Sequence, residues 1–349
     1  MPIFDQGYQH WNGPLAGHAW RWLAITRQGV RAQWKNKGVR FSVISGLLPA
    51  LILSAMLILY GLFEQKSDLL TPFLALLQNL PDAIKDGPRA YRRDIWTLAF
   101  HYYFSVQIFF SMVIVLLVGP DLISQDLRFN AIPLYFARPL RRIDYFLGKL
   151  GVIAFYIGLV TAAPVLLAYT LGLAFSLEFA VITDTWRLLL ASLALCLIII
   201  VSSGTLMLAF SSMSRNSRYV GAIWVGLWVV SNITADSLAA TVKADWCPVV
   251  SYTGNLLRVR EALLDTASAQ ENLSKLVQAG ADQAQDAIVP FPFNKLARRR
   301  PPRPPRPAPS ILPALSKYPW TWSAGVLTGL GLLSILVLTT RVKTLDRLK

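Results

Sequence analysis

The sequence predicts an all-α polytopic membrane protein with six transmembrane helices. Three observations carry that prediction. Hydrophobic residues make up 54% of the 349 positions and charged residues only 15%, with a mean hydropathy of +0.46. Soluble domains carry about a quarter charged residues. Six runs are long and apolar enough to cross about 30 Å of hydrocarbon, which takes about 20 helical residues. The runs are continuous and do not alternate with a period of two, which excludes a barrel.

The first forty residues are polar, Trp-containing and basic. They show no short apolar core followed by a small-residue cleavage site, so no cleavable signal is expected and the first span stays in the mature chain. Residues 20–37 predict an N-terminal interfacial amphipathic helix. On a helical wheel Trp20, Leu23, Val30 and Trp34 share one arc, and Arg21, Arg27, Arg31 and Lys35 spread from its edge; Trp22 and Ile25 fall outside it. Such a helix lies in the head-group plane, with its cations toward the anionic phosphates of membrane lipid.

Spans are expected at 41–63, 98–119, 150–175, 188–210, 219–238 and 320–340. The fifth carries Asn232, Thr234 and Asp236 in its last turns. Pro49 and Pro164 fall inside spans one and three, where neighbouring helices can satisfy the carbonyl that proline leaves without a donor. Gly325 and Gly329 have the G-x-x-x-G spacing of close helix packing, here read as a contact with another span of this chain.

Lys and Arg are retained on the cytoplasmic side of a membrane. With the N-terminus inside, that side collects the basic residues of 21–40, Arg128, Arg138, Arg141, Arg142 and Lys149, then Arg215 and Arg218, then Arg341, Lys343, Arg347 and Lys349. Both termini are therefore expected in the cytoplasm, with the chain in the cytoplasmic membrane. This divides the chain into an N-terminal segment 1–40, the first five spans at 41–238 with a cytoplasmic loop 120–149, a long external segment 239–319, and span six with its basic tail at 320–349. The external segment contains ARRRPPRPPRPAP at 297–309, which reads as a stiff polyproline-like spacer or as a docking site for an acidic partner or anionic head group. Pieces around 255–264 and 271–277 are helix-like and polar enough to lie on the outer surface.

Several chemistries have no support. The only Gly-Lys pair, Gly148 and Lys149, is followed by Leu150, so there is no phosphate loop. His10, His18, His101, Cys196 and Cys247 lack metal-ligand spacing. Cys196 is expected as a packed thiol and Cys247 as a solitary surface thiol. Ser202, Ser203, Gly204 and Thr205 in span four have no candidate base at their depth and read as packing residues. No catalytic activity, cofactor, metal or nucleic-acid partner is expected.

One segment is unusual for a connection. Residues 119–149, GPDLISQDLRFNAIPLYFARPLRRIDYFLGK, interleave Leu122, Ile123, Leu127, Ile132, Leu134 and Tyr135 with charges, and Pro133 and Pro139 break them into short pieces. Such a segment can rest one face on the ends of the spans and offer the other to a soluble protein.

At these residues the sequence resembles the membrane subunits of type-2 ATP-binding-cassette exporters. That family shows Ile-Ser-x-Glu-x-x-x-Gly-Thr after its second span, then Arg-Pro-[ILV]-x-Arg, then Gly-Lys leading into the third. Here stand Ile123, Ser124, Asp126, Asn130 and Ala131, then Arg138, Pro139, Leu140 and Arg142, then Gly148 and Lys149. Phe210 to Asn216 is similar to the family's Ser-rich basic turn between spans four and five. Asp126 replaces Glu, and Asn130 and Ala131 replace Gly-Thr.

The resemblance implies a permease without its own ATPase. It would pair with a cytoplasmic ATP-binding-cassette subunit and a second permease copy or paralogue, and export a hydrophobic or amphipathic substrate. The helix after span two would be the cytoplasmic coupling helix. Ser124, Gln125, Asp126 and Arg128 would form the ATPase contact, with Arg138, Arg141 and Arg142 beside lipid phosphates or ATPase carboxylates. The alternatives are a secondary transporter, which calls for inverted repeats and buried ion-coupling carboxylates not seen in the sequence, or a non-catalytic membrane scaffold.

Overall fold

A computed structural model describes residues 20–67, 87–136, 140–275 and 317–346, with side chains of 136 and 342–346 left aside. In chain order its helices are α1 (Arg21–Trp34), α2 (Lys37–Glu64), α3 (Arg92–Val118), α4 (Asp121–Arg128), α5 (Ile132–Phe136), α6 (Arg142–Val160), α7 (Ala162–Ser176) and α8 (Ala180–Met213). There follow α9 (Ser217–Val225) and α10 (Ser231–Val242), joined by a π-helical turn Gly226–Val230, then α11 (Tyr252–Leu264) and α12 (Trp320–Asp346). The described residues contain no strand.

Among the described residues six helical stretches are long and apolar enough to cross a membrane: Lys37–Glu64, Pro88–Arg128, Arg142–Ser176, Ala180–Met213, Ser217–Val242 and Trp320–Arg341. They contain the six runs expected from the sequence, in the same order.

The two proline-interrupted spans meet at one amide. Pro164 has no N–H for the Val160 carbonyl, which instead accepts from the Tyr103 hydroxyl at 2.9 Å and from the Gln107 amide, both on α3. Gln107 also donates to the Gly46 carbonyl at 3.0 Å, one residue from the carbonyl that Pro49 leaves bare. Fully buried, Gln107 therefore ties span two to the proline breaks of spans one and three.

At the end of the bundle away from α4, Arg92 forms an ionic knot. Its guanidinium holds Glu64 through two bonds of 2.6 and 2.9 Å, and Glu178 and Asp184 at 3.1 Å each. Arg89 adds a second pair to Glu178. These residues close the ends of spans one, two, three and four together, and both Arg92 and Glu64 are buried.

Three expectations are corrected. The piece around 255–264 does not lie on a surface: α11 buries Leu256, Val259, Arg260 and Leu264 against spans two, four and six. Its Tyr252 ring lies 5.9 Å from Trp224 and its hydroxyl 3.1 Å from Ser202, while Asp265 beyond its other end pairs with Arg93 at 3.3 Å. Tyr252, Leu256, Val259 and Leu264 supply the buried apolar side chains, and the polar residues among them find partners. Cys247 is likewise buried, not a surface thiol, and both cysteines are free. Finally, a Cβ at Gly325 or Gly329 would meet nothing within 4 Å, so that face of span six packs against none of the described residues.

α1 forms as expected, and packing selects its faces. Trp20 and Leu23 are exposed, whereas Ile25 and Thr26 turn toward α6 and Trp34 stacks on Tyr156 of α6 at 6.2 Å. Thr26 Oγ1 donates to the Gly148 carbonyl at 3.0 Å, and the Tyr156 hydroxyl donates to the Val30 carbonyl at 2.8 Å. Gly148 is required there, because a Cβ would sit 2.7 Å from Ile25 Cβ. The Pro/Arg run 297–309, residues 276–277 of the second polar piece, and Arg138 lie outside the described residues.

Candidate functional site

The site is built on α4, which starts where span two stops. Gly119 lets the turn press onto span four, since a Cβ there would stand 2.2 Å from Met207 Cγ. Pro120 follows as the residue capping α4, where its missing N–H costs nothing. The helix buries Leu122, Ile123 and Ser124 and leaves Gln125 and Arg128 exposed. Asn130 ends it with φ at 49°, a left-handed conformation that Asn tolerates better than most side chains, and the Ala131 N–H closes onto the Asp126 carbonyl at 2.8 Å. Asn130 thus fills the position at which the family pattern has Gly.

The buried side of α4 is anchored at its N-terminal turn by serines. The Ile123 and Ser124 N–H groups both donate to Ser211 Oγ at 3.0 Å, and Ser211 donates in turn to the Pro120 carbonyl at 2.8 Å. Ser124 Oγ donates to the same carbonyl at 2.5 Å and lies 2.9 Å from Ser217 Oγ. Ser211 belongs to the end of span four and Ser217 to the start of span five, so α4 is joined to both.

A second anchor is ionic. Asp126 Oδ2 accepts from Lys149 Nζ at 2.6 Å and from the Tyr145 hydroxyl at 2.7 Å, both on α6. The two charged side chains are only 14% and 11% exposed, which raises the pair above an ordinary surface contact. Lys149 also stands over the rings of Tyr135 and Tyr145, at 5.7 and 5.5 Å from their centroids. Burial and the neighbouring Asp126 charge both raise the Tyr135 pKa, which keeps this hydroxyl protonated.

The expected contact residues therefore separate. Gln125, Arg128, Arg141 and Arg142 are exposed. Ser124 is fully buried, and Asp126 is turned inward. Phe129, 70% exposed beside Arg128, joins the outward set. Tyr145, Ser211 and Ser217 were not singled out by sequence reasoning, although Lys149 and Ser211 lie inside the quoted patterns. Among the described residues no group of His, Cys, Asp and Glu could hold a metal ion.

A family model described as ABC-2 family transporter protein matches residues 35–279. The chain belongs to the ABC-2 transporter family. The match runs from the start of span one through α4, the Ser211 turn and α11, so every contact described at this site lies within it. No curated protein and no solved structure matches the chain. Membership makes it an ABC transporter permease, a multi-pass membrane protein of transport.

Proposed function

We propose that this permease is the membrane subunit of an ATP-driven exporter, and that α4 is the helix through which a separate ATPase subunit moves the spans. One observation carries the reading. α4 is bonded to α6 through Asp126, to α8 through Ser211 and to α9 through Ser217, while Gln125, Arg128 and Phe129 face outward. A push on the outward side is thus delivered to spans three, four and five together. Basic residues around it, Arg128, Arg141, Arg142, Arg215 and Arg218, suit a partner surface lined with carboxylates, which steers docking and fixes register.

The same basic residues support placing the α4 end and both termini in the cytoplasm, by the rule that cytoplasmic ends retain Lys and Arg. Two permeases, identical or paralogous, would enclose the path, and a hydrophobic or amphipathic substrate fits the apolar composition of the spans. Of the residues the family resemblance assigns to the ATPase contact, Gln125 and Arg128 keep that role. Asp126 and Ser124 become positioning residues that hold the helix.

The test is co-purification with the candidate ATPase, together with ATP turnover of the complex. Arg128→Glu is expected to weaken association by about thirtyfold, the low end of the roughly 2 to 5 kcal/mol lost when a charged interface partner is mismatched. Arg187→Glu, exposed at the far end of the bundle, is expected to change neither. Unchanged association in Arg128→Glu and in Phe129→Ser removes α4 as the docking helix. Loss in Arg187→Glu alone places the ATPase at the opposite end.

A further inference from the structure

A cavity of about 670 Å³ opens between α1 and α5, next to the α4 anchor and distinct from its outward face. Its walls are Ala24 and Ile25 of α1, Leu134 and Tyr135 of α5, and Leu140, with Arg21 as its charged member. The volume falls in the range of sites that enclose a small molecule, about 300 to 1,000 Å³. An apolar trough with a cation on it suits a ligand with an alkyl part and an anionic part.

The level of the cavity narrows the choice. α1 is fixed along α6 by the Thr26 and Tyr156 bonds and by Trp34 stacked on Tyr156, and it turns Trp20 and Leu23 outward. Exposed Trp and Leu on a helix whose other exposed residues include Arg27 and Arg31 belong at the boundary between acyl chains and head groups. Arg141 and Arg142, also exposed, follow Leu140 directly and add positive charge at that level.

We propose that this cavity binds one anionic phospholipid. Its acyl chain lies on Ala24, Ile25, Leu134 and Leu140, and its phosphate meets Arg21. The site is connected to the α4 anchor through Tyr135. That ring is one wall of the cavity, and it lies 5.3 Å from the Tyr145 ring and 5.7 Å from Lys149 Nζ, the two groups that hold Asp126. A bound lipid braces Tyr135 against them. Lipid binding at this cavity does not rest on the ATPase-docking reading above.

The experiment is native mass spectrometry of the purified full chain from mixed micelles of phosphatidylglycerol and phosphatidylcholine. Wild type is expected to retain phosphatidylglycerol preferentially. Arg21→Gln should lower that retention about fivefold, the factor that corresponds to about 1 kcal/mol per basic side chain at an anionic surface. Leu134→Trp, which fills the trough, should lower retention of both lipids, and Leu333→Trp on the exposed side of span six should change nothing. A photo-crosslinker at position 24 in whole cells should yield a lipid adduct. Equal retention of the two lipids by wild type, or retention untouched by both cavity variants, overturns the proposal. A protein adduct in place of the lipid adduct assigns the cavity to a protein partner and also overturns it. Loss of ATPase docking in the preceding test leaves all of these readouts unchanged, so the two readings fail separately.

Discussion

Asp126 and Lys149 form an ion pair of 2.6 Å that spans the whole connection between spans two and three. Asp126 stands on the helix that ends one, Lys149 in the first turns of the other, and the Tyr145 hydroxyl shares the carboxylate. The charged connection is therefore a closed unit whose two ends hold each other.

Removing either partner leaves the other charged and mostly shielded from water. Asp126→Ala and Lys149→Met are each expected to cost about 1 to 3 kcal/mol, the usual penalty for a polar group stripped of its partner. The double variant should cost less than the sum, with a coupling of about 0.5 to 3 kcal/mol for residues in direct contact. Thermal unfolding of the four proteins in one detergent measures this, and strict additivity would show that the pair contributes nothing.

Ser211 accepts two backbone N–H groups at once, so its hydroxyl matters more than its size. Ser211→Ala strips the acceptor from Ile123 and Ser124. A local loss of about 1.4 kcal/mol corresponds to about tenfold faster opening of the first turn of α4. Hydrogen exchange read by mass spectrometry over 119–128 should rise by that factor while 180–200 stays at the wild-type rate. Equal exchange in both segments would remove Ser211 from the anchor.

The six spans were legible because crossing a bilayer imposes a length and a composition that few other structures need. The segment after span two was legible too, as alternating apolar and charged residues broken by Pro133 and Pro139. Its internal bonding was not. Nothing in one-dimensional spacing says that Asp126 turns inward to Lys149 while Arg128 turns outward, because the path between them depends on how α5 and α6 pack. α11 was misread for a related reason. Asn255, Arg260 and Glu261 lower its hydropathy, yet in the folded chain each has partners, so composition alone places the helix at the surface while its apolar stripe buries it. Ile25 likewise fell off the expected arc of α1 because a helical arc does not distinguish a lipid face from a packed one: Ile25 is fitted to Gly148, while Val30 and Trp34 within the arc meet Tyr156.

Gln107 serves the Val160 carbonyl that Pro164 leaves without a donor and the Gly46 carbonyl beside the proline break of span one. Gln107→Leu keeps the approximate volume and removes both donors. Val160 O retains the Tyr103 hydroxyl, so the expected loss is about 0.6 to 2 kcal/mol, the range found for hydrogen bonds between membrane helices. Tyr103→Phe combined with Gln107→Leu strips Val160 O of both donors and should lose more than the two single changes together. Thermal unfolding decides this, and a double variant no worse than Gln107→Leu alone would exclude the shared acceptor.

Two buried arginines should respond oppositely to the same substitution. Arg92 is bound by Glu64 through two bonds and by Glu178 and Asp184 through one each, and Glu64 is itself buried. Arg92→Met leaves that carboxylate without its main partner, a change that costs about 3 to 5 kcal/mol when the remaining charge is buried. Lys at that position cannot reproduce the paired geometry and should recover only part of the loss. Arg260 on α11 is bonded to no carboxylate: it meets the Ser105 hydroxyl at 2.5 Å and the His101 carbonyl and ring Nε2 at 3.3 Å each, and its Nε has no partner. Burial pushes its pKa down to about 10, the direction expected of a cation held out of water. Arg260→Met strands no carboxylate, because Glu261 keeps Arg258 at 3.1 Å; Ser105 keeps its bond to the His101 carbonyl, and the His101 ring Nε2 loses its partner. Its stability is therefore expected to stay within about 1 kcal/mol of wild type or to rise, as when buried charged groups are replaced by apolar ones of similar volume. Unfolding curves of the two Met variants recorded side by side separate the cases, and an Arg260→Met as damaged as Arg92→Met would show that α11 depends on its buried cation.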